Sequence, residues 1–573
     1  MKKILLILAL IIFNLLPGSG VSIATIRYVS HNSTPTPPYT TWETAADSIQ
    51  KCIDYCVAGD TIIVANGTYY ESLVVDKYLW LIGSSMDSTI IDGSGLESTT
   101  VNFQTSGQIQ LFQIKGKGEG LINTRCIKAN YSTIENCRIL NADIGIGIVW
   151  VSPIINNCIM ENLTIGCYTT SMDTNHTIIK NSVIFVNSNL PYPAGILTDG
   201  GNNISSNNII FGNADSYRGI QSGLFSNAFQ NIIRNNIVSG FEVNIEGFAD
   251  DTAIVQNNIS LYAAERGYTI NSKTDMRNNI SAYNATGVVG PTSTNSDYNL
   301  YWQNITNTTD SIAQHDIVAD PMFVNDTIPA YGGTFDFHLQ KYSPAIDAGD
   351  PNILDVDGTR SDIGVFGGPL GEEYTYQDLA PGPPVNLTAV LDSNQVLLSW
   401  NRNTEADFSH YNLYRDTTEG FIIDSTKLIS TQTDTFYIQT IPKAEINLYY
   451  KLTAVDSQGN ESVPSEEAHI EITSTKERPV TISSYQLYQN YPNPFNPATT
   501  INYQIPKTGF VTLKVYDILR KEIATLVNEQ KTQGRYSVNF DASSAAGGLA
   551  SGVYIYQIRA NDYVSSKKML LLK

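Results

Sequence analysis

Carboxylates standing close together are the residues of this sequence best able to do chemistry. Asp250-Asp251, within Phe-Ala-Asp-Asp-Thr-Ala, is the acidic pair of the asparagine-bearing segments described below. Two carboxylates can divide general acid and base roles or share a divalent cation. Neighbours on a strand point to opposite faces, so only one of this pair can be aimed at a given substrate, and a solvated loop is the competing role. A second acidic set is Asp347, Asp350, Asp355, Asp357 and Asp362. Asp355-Val356-Asp357-Gly358 carries part of a calcium-loop pattern, which makes Asp355, Asp357 and Asp362 candidate Ca2+ ligands. The twelve-residue EF-hand pattern is absent, and loop hydrogen bonding is the alternative role. Asp173, His176, Asp199, Asp215 and Arg218 fall in variable stretches, and their offsets differ, so the sequence does not stack them into one groove. The six cysteines form neither a Cys-x-x-Cys pair nor a Cys/His zinc set. No cofactor-binding motif is present, so Ca2+ is the one cofactor considered.

The elements that must position these groups are repeats. An aliphatic-x-Asn-small-aliphatic pattern recurs with Asn136, Asn157, Asn181, Asn207, Asn235, Asn257 and Asn278, at steps of 21, 24, 26, 28, 22 and 21 residues. Those steps are too variable for leucine-rich or helical repeats. Aliphatic residues two before and two after most of these asparagines give strand alternation. One such unit cannot bury its apolar side alone, but stacked units can, which predicts the coils of a parallel β-helix. The column before each Asn is polar with mixed sign and is expected outside. The column after it (Cys137, Cys158, Ser182, Asn208, Asn236, Asn258, Asn279) is small and polar and suits coil-to-coil amide bonding at a bend. Asn itself tolerates the left-handed conformation of a tight corner. Cys137 and Cys158 share that column, close enough to bridge, with small-residue packing the preferred reading. Upstream, Ile49, Cys52, Ile53 and Cys56 recur at helical spacing over Ala45–Val57, predicting a short amphipathic helix that caps an open rod end.

The chain of 573 residues has a net charge of −20, with 16% charged and 42% hydrophobic residues. That excludes a disordered polyelectrolyte and makes nucleic acid a poor partner. Residues 1–24 read as a signal peptide: Lys2 and Lys3, an apolar run from Ile4 to Leu16, then small residues, with cleavage expected after Ala24. No other apolar run is long enough to span a bilayer, so no stable membrane span is expected after signal removal. Charge is uneven. Residues 25–370 hold 16 basic and 33 acidic residues, 371–484 hold 7 and 17, and 485–573 hold 10 and 5.

Three resemblances follow. Gly59 to Gly93, the Asn repeats, and the closing run Asp320-Pro321-Met322-Phe323-Val324, Phe337-His338-Leu339, Ser343-Pro344-Ala345-Ile346-Asp347-Ala348-Gly349 and Asp362-Ile363-Gly364 resemble secreted right-handed parallel β-helix proteins of the pectate-lyase-like superfamily. The match covers about residues 25–370. Residues 371–384 read as a Pro-rich linker. Leu397-Leu-Ser-Trp-Asn, Tyr411-Asn-Leu-Tyr-Arg and Tyr449-Tyr-Lys-Leu-Thr-Ala-Val-Asp resemble a fibronectin type III domain over 385–474, with Trp400 and Tyr449/Tyr450 as core aromatics. After a linker at 475–484, Tyr488-Gln-Asn-Tyr-Pro-Asn-Pro-Phe-Asn-Pro and the strand runs to Lys573 resemble the C-terminal sorting domain of type IX secretion over 485–573. Arg520 stands where that family commonly has Gly.

The fold class expected is all-β: a right-handed parallel β-helix followed by two small β-sandwiches. The resemblances imply export to the surface of a Gram-negative, Bacteroidetes-like bacterium, or release, with the type IX machinery as partner of residues 485–573. They imply a polysaccharide as the other partner, bound and, if the protein is an enzyme, cut by a lyase or glycoside hydrolase reaction. The Gly-His-Gly of the related hydrolases is absent. The alternative is an adhesin-like surface rod with no carbohydrate chemistry.

Overall fold

The computed structural model describes residues 24–572, apart from 96–98, 119–123, 150–152, 171–175, 188–191, 200–201, 223–229, 248–251, 292–294, 328–332, 393–394, 441–446, 472–483 and 544–548. Nearly every described element is a strand, and the first half of the chain is a β-solenoid. Its first face is a twelve-stranded parallel sheet built from one strand per coil, starting at Ile26–Val29 and ending at Ser296–Asp297. The other two faces fuse into a nineteen-stranded sheet. They fuse because Arg138–Val149, Ile159–Thr170, Ile209–Ser222 and Ile237–Gly247 each run through the corner between the second and third faces.

The interior is read off the register. Ile134, Ile155, Ile179, Ile233, Val255 and Met276 line the inside of the first face. Ile139, Met160, Ile184, Ile210 and Val238 line the second, and Ile146, Cys167, Ile196, Ile220, Ile245 and Tyr268 the third, all nearly inaccessible to solvent. All seven predicted column asparagines have left-handed backbones, with φ between 52° and 57°. That conformation is one Asn reaches more readily than other side-chain-bearing residues, and it turns the chain from the first face to the second.

The following column forms the expected ladder inside the rod. Ser182 N donates to Asn208 Oδ1 at 3.0 Å, Asn208 N to Asn236 Oδ1 at 3.1 Å, Asn236 N to Asn258 Oδ1 and Asn258 N to Asn279 Oδ1 at 3.0 Å. Asn279 N continues to Asn299 Oδ1 at 3.0 Å, and Asp316 Oδ1 ends the run by accepting Asn299 N at 2.8 Å. Each buried amide therefore meets a partner, avoiding the cost of about 1–3 kcal/mol for an unsatisfied polar group. Cys137 and Cys158 pack in the same column as free thiols, and all six cysteines are free and buried.

The predicted cap is the helix Ile49–Tyr55, which buries Ile49, Cys52 and Ile53 on the first coils. Its N-terminus is held by Glu71, whose carboxylate accepts Ser48 Oγ at 2.8 Å, Ile49 N at 2.9 Å and Gln50 N at 2.8 Å. An anion among the free N–H groups of a helix start is electrostatically favoured. Glu71 thus ties the coil motif Gly67-Thr68-Tyr69-Tyr70-Glu71 to the cap.

Beyond the last coil the chain turns back along the outside. Phe323, Phe337, Leu339, Ala345 and Ile363 form a second apolar core with Ile237, Ile259, Ile280 and Leu300, which point outward from the second face. The returning segment also crosses the asparagine corner. Asn207 Nδ2 donates to Leu370 O at 3.1 Å, and Asn235 Nδ2 to Val365 O and Gly367 O at 2.7 Å. Asp350 N donates to Asn278 Oδ1 at 2.7 Å. Nearer the cap the same column bonds within the coils, Asn157 Nδ2 donating to Asn136 Oδ1 at 2.6 Å.

Two antiparallel sandwiches follow, each a three-stranded sheet on a four-stranded one. In the first, Trp400 and Tyr450 are buried, and Trp400 meets Tyr411 edge-on at 5.5 Å. In the second, Phe495 of the Pro-rich entry is buried and bridged to the last strand, its N–H donating to Leu570 O at 2.9 Å and its C=O accepting Leu572 N at 3.0 Å. Arg520 adopts φ 63° at a hairpin tip, the left-handed backbone that Gly takes at least cost. Among the described residues no helix is long and apolar enough to cross a membrane.

Candidate functional site

Asp250 and Asp251 lie outside the described residues, as does Asp173; the side chains of Asp199 and Asp215 are also outside them. His176 opens the strand His176–Lys180 on the first face, remote in register from Arg218, which sits on the third.

Among the described residues, Arg218 belongs to a polar cluster on the outer side of the rod. Register places Ala194, Arg218 and Val243 in one column and Leu197, Gln221 and Glu246 in the next, on successive coils. Ile196, Ile220 and Ile245 point inward, so the column after them faces out. Gly195 and Gly219 also face inward, since a Cβ there would meet the core residues Ile210 at 2.4 Å and Val238 at 2.3 Å, so the Arg218 column just before them faces out as well. Arg218 Nε donates to Glu246 Oε2 at 2.5 Å, and Gln221 Nε2 donates to the same oxygen at 3.0 Å. The Arg218 and Glu246 side chains are only 8% and 5% exposed, although they stand on an outer face. The guanidinium carbon lies 3.5 Å from the ring centre of Tyr217, and Nη1 donates to Tyr217 O at 3.0 Å. Tyr192, 68% exposed, meets Tyr217 edge-on at 5.2 Å. Glu242, four residues before Glu246, comes within 3.9 Å of Arg218.

This arrangement combines a fixed guanidinium, two carboxylates and an amide beside two tyrosine rings. Burying an ion pair rarely adds net stability, so its retention on an outer face asks for another use. Planar donors and acceptors held by packing suit hydroxyl or carboxylate recognition, and tyrosine faces suit the apolar side of a sugar ring. Sequence reasoning reached Arg218 but missed Gln221, Glu246, Tyr217 and Tyr192. Only the register shows that a polar side chain pointing outward is nevertheless buried.

The Asp355, Asp357 and Asp362 candidates lie in the returning segment. Asp355 Oδ2 accepts Asp362 N at 3.0 Å and its other oxygen accepts Gly368 N. Asp362 accepts Asp347 N at 2.9 Å and Tyr376 Oη–H at 2.8 Å. Asp357 Oδ1 accepts the amide and hydroxyl of Thr359. Burial pushes the Asp362 carboxyl up to about 6 and moves Asp355 in the same direction. Among the described residues, the carboxylate group compact enough to share one ion is instead Asp378, Asp407 and Asp456, where the linker meets the first sandwich.

Comparison with known proteins identifies the C-terminal unit. Residues 489–572 match the secretion system C-terminal sorting domain. The chain therefore carries a type IX sorting domain and is exported, to be released or held at the surface of a Bacteroidetes-type cell. A stretch of 107 residues is 36% identical to an amylopullulanase of Thermoanaerobacter thermohydrosulfuricus, spanning 18% of this chain and 7% of that protein. An Fn3-like protein from Clostridium thermocellum is 33% identical over 17% of this chain and 98% of its own, with a TM-score of 0.15. The spore cortex lytic enzyme SleM of Clostridium perfringens is 18% identical over 18% of this chain and 32% of its own, with a TM-score of 0.14.

Proposed function

We propose that the exported protein is a polysaccharide-binding rod whose glycan site is the outer cluster of Arg218, Gln221 and Glu246 beside Tyr217 and Tyr192. The observation carrying this reading is the buried Arg218–Glu246 pair on a solvent-facing side of the rod, within reach of an exposed tyrosine. A solenoid repeats its surface along one axis, which suits a polymer lying across several coils. The partial likeness to an amylopullulanase agrees with a carbohydrate-related role.

Glu242 and Glu246 both adjoin Arg218, and this favours a second reading in which the site also cuts its ligand. Paired carboxylates are the usual requirement for glycoside hydrolysis. A panel of soluble polysaccharides separates the readings when binding and product release are followed on the same samples. Binding weakened in Tyr217→Ala without product formation fits a rod. Released oligosaccharides lost in Glu246→Gln fit an enzyme. No binding to any member of a broad neutral and acidic panel overturns both.

A further inference from the structure

The sorting unit carries an exposed apolar patch at one end of its four-stranded sheet. The hairpin joining Gly509–Tyr516 to Glu522–Lys531 turns through Asp517, Ile518, Leu519, Arg520 and Lys521. Its backbone is fixed. Asp517 N donates to Lys521 O at 3.1 Å and Arg520 N to Asp517 O at 3.0 Å. Asp517 Oδ1 accepts Leu519 N at 2.9 Å and Lys521 N at 2.8 Å. This fixed turn holds Ile518 and Leu519 in water, 69% and 85% exposed, so the gain that burial gives such side chains is unused in the fold. The strands beside the tip extend the patch. Tyr516 pairs with Ile555 and Ile555 with Lys568, and Val553 pairs with Leu570 two residues nearer the tip. Their neighbours Val515, Tyr554, Tyr556, Met569 and Leu571 are buried, so these side chains face outward.

Cations border this patch. Arg520, Lys521 and Lys568 are exposed. Among the described residues the ion pairs of this unit are Lys514–Glu522 and Lys531–Glu529, both at 2.7 Å, so no acid takes up any of the three. The acids at this end are already engaged, Glu522 by Lys514 and Asp517 by the backbone of the turn. The opposite side of the sandwich differs. On the outer face of its three-stranded sheet Thr500 and Asn502 oppose Asn539 and Ser537, all polar. The Pro-rich entry is used in folding, since Phe495 is buried and bonded to the last strand. One end of the four-stranded sheet therefore combines exposed apolar side chains with positive charge, in a chain whose residues 25–484 are strongly acidic.

We propose that this end of the four-stranded sheet is the surface by which the sorting unit docks on a protein of the type IX machinery. The partner that fits presents an apolar pocket bordered by carboxylates. Ile518 and Leu519 enter the pocket as anchors, and Arg520, Lys521 and Lys568 meet the carboxylates at its rim. A fixed turn suits an anchor, because little conformational freedom is lost when it docks. Charge argues against a second copy of this chain, since two such patches would set cation against cation. The same charge pattern gives selectivity within the chain: an acidic rim repels the acidic remainder and attracts the sorting unit. Two apolar side chains with three cations give a lipid surface only a weak, reversible hold. This surface is independent of the Arg218–Glu246 site, and either can fail alone.

The test expresses the full chain in a bacterium with a working type IX system and measures exported against periplasmic protein. Ile518→Asp with Leu519→Asp lowers the exported fraction about tenfold or more, and the chain accumulates in the periplasm. Lys521→Glu with Lys568→Glu lowers it about fivefold. Phe510→Asp, 54% exposed at the far end of the same strand, leaves export unchanged. All the changed side chains stand in water, so each purified variant melts within about 2 °C of the parent, which separates lost docking from lost folding. Sedimentation of the purified chain with phosphatidylglycerol vesicles reads the lipid alternative, and none is expected. The proposal is overturned if the Ile518/Leu519 variant is exported as the parent is. It is equally overturned if Phe510→Asp lowers export as far, or if the parent sediments with the vesicles and the Ile518/Leu519 variant does not.

Discussion

Asn257 Nδ2 donates to the carbonyl oxygen of Asp362 at 3.0 Å, across 105 residues of chain. The same amide reaches Ser361 Oγ at 3.1 Å and Gly364 O at 3.2 Å. The Asn257 backbone has φ 55°, so one residue both turns a coil and grips the segment that folds back over it. The asparagine column thus has two uses along its length. Near the cap its amides bond to one another, and toward the far end they anchor the returning chain.

Two substitutions at Asn257 separate those uses. Asn257→Gly keeps the left-handed turn and loses the grip, at an expected cost of about 1–3 kcal/mol. Asn257→Ala also forces a Cβ into that backbone and costs roughly 1 kcal/mol more. Denaturant unfolding reads the totals, and limited proteolysis across 343–370 reads whether the returning segment is released. Equal stability of parent and Asn257→Gly would show that the segment is held by its apolar contacts alone.

The returning segment should also respond to pH. Burial holds the Asp362 carboxyl up to about 6, above its value in an unfolded chain. The folded state therefore binds this proton more tightly than the unfolded state. Stability contributed at acid pH is lost as pH rises from about 4 through about 6, by at most about 3 kcal/mol. Protease resistance of 343–370 at pH 5 should exceed that at pH 7.5, and Asp362→Asn should flatten the difference. A segment more resistant at pH 7.5 than at pH 5 would contradict this account.

Much of this rod was legible as repeats. The asparagine steps, the aliphatic positions two residues away and the helical spacing of Ile49, Cys52, Ile53 and Cys56 each reflect local geometry, and the structure contains those elements. What could not be read depends on which coil stacks on which. Loop lengths vary between coils, so equal offsets do not mean equal register: Arg218 and Glu246 lie equally far past Asn207 and Asn235, yet it is Gln221 that pairs with Glu246, and Arg218 pairs with Val243. The aspartates near Asp355 accept backbone N–H groups, and backbone-capping and metal-binding aspartates share their spacing, so the sequence leaves both roles open.

In the sorting domain, Arg520 holds φ 63° while Arg520 N donates to Asp517 O at 3.0 Å and Asp517 Oδ1 accepts Leu519 N and Lys521 N. Those bonds use the backbone, so Arg520→Gly keeps them and removes the strain of a side chain in the left-handed region. A gain of about 0.5–1 kcal/mol is expected in the unfolding of this unit. A loss of stability would mean that the arginine side chain makes a compensating contact.

The central claim is that the outer cluster on the third face recognises polysaccharide. Its most direct measurement is calorimetric titration of the full exported chain with the tightest ligand of the panel, for the parent, Glu246→Gln and Tyr217→Ala. The account predicts affinity lower by about tenfold or more in both variants, with the melting temperature of Tyr217→Ala close to that of the parent. Undiminished affinity in both variants would contradict it and leave the Arg218–Glu246 pair as a structural feature of the rod.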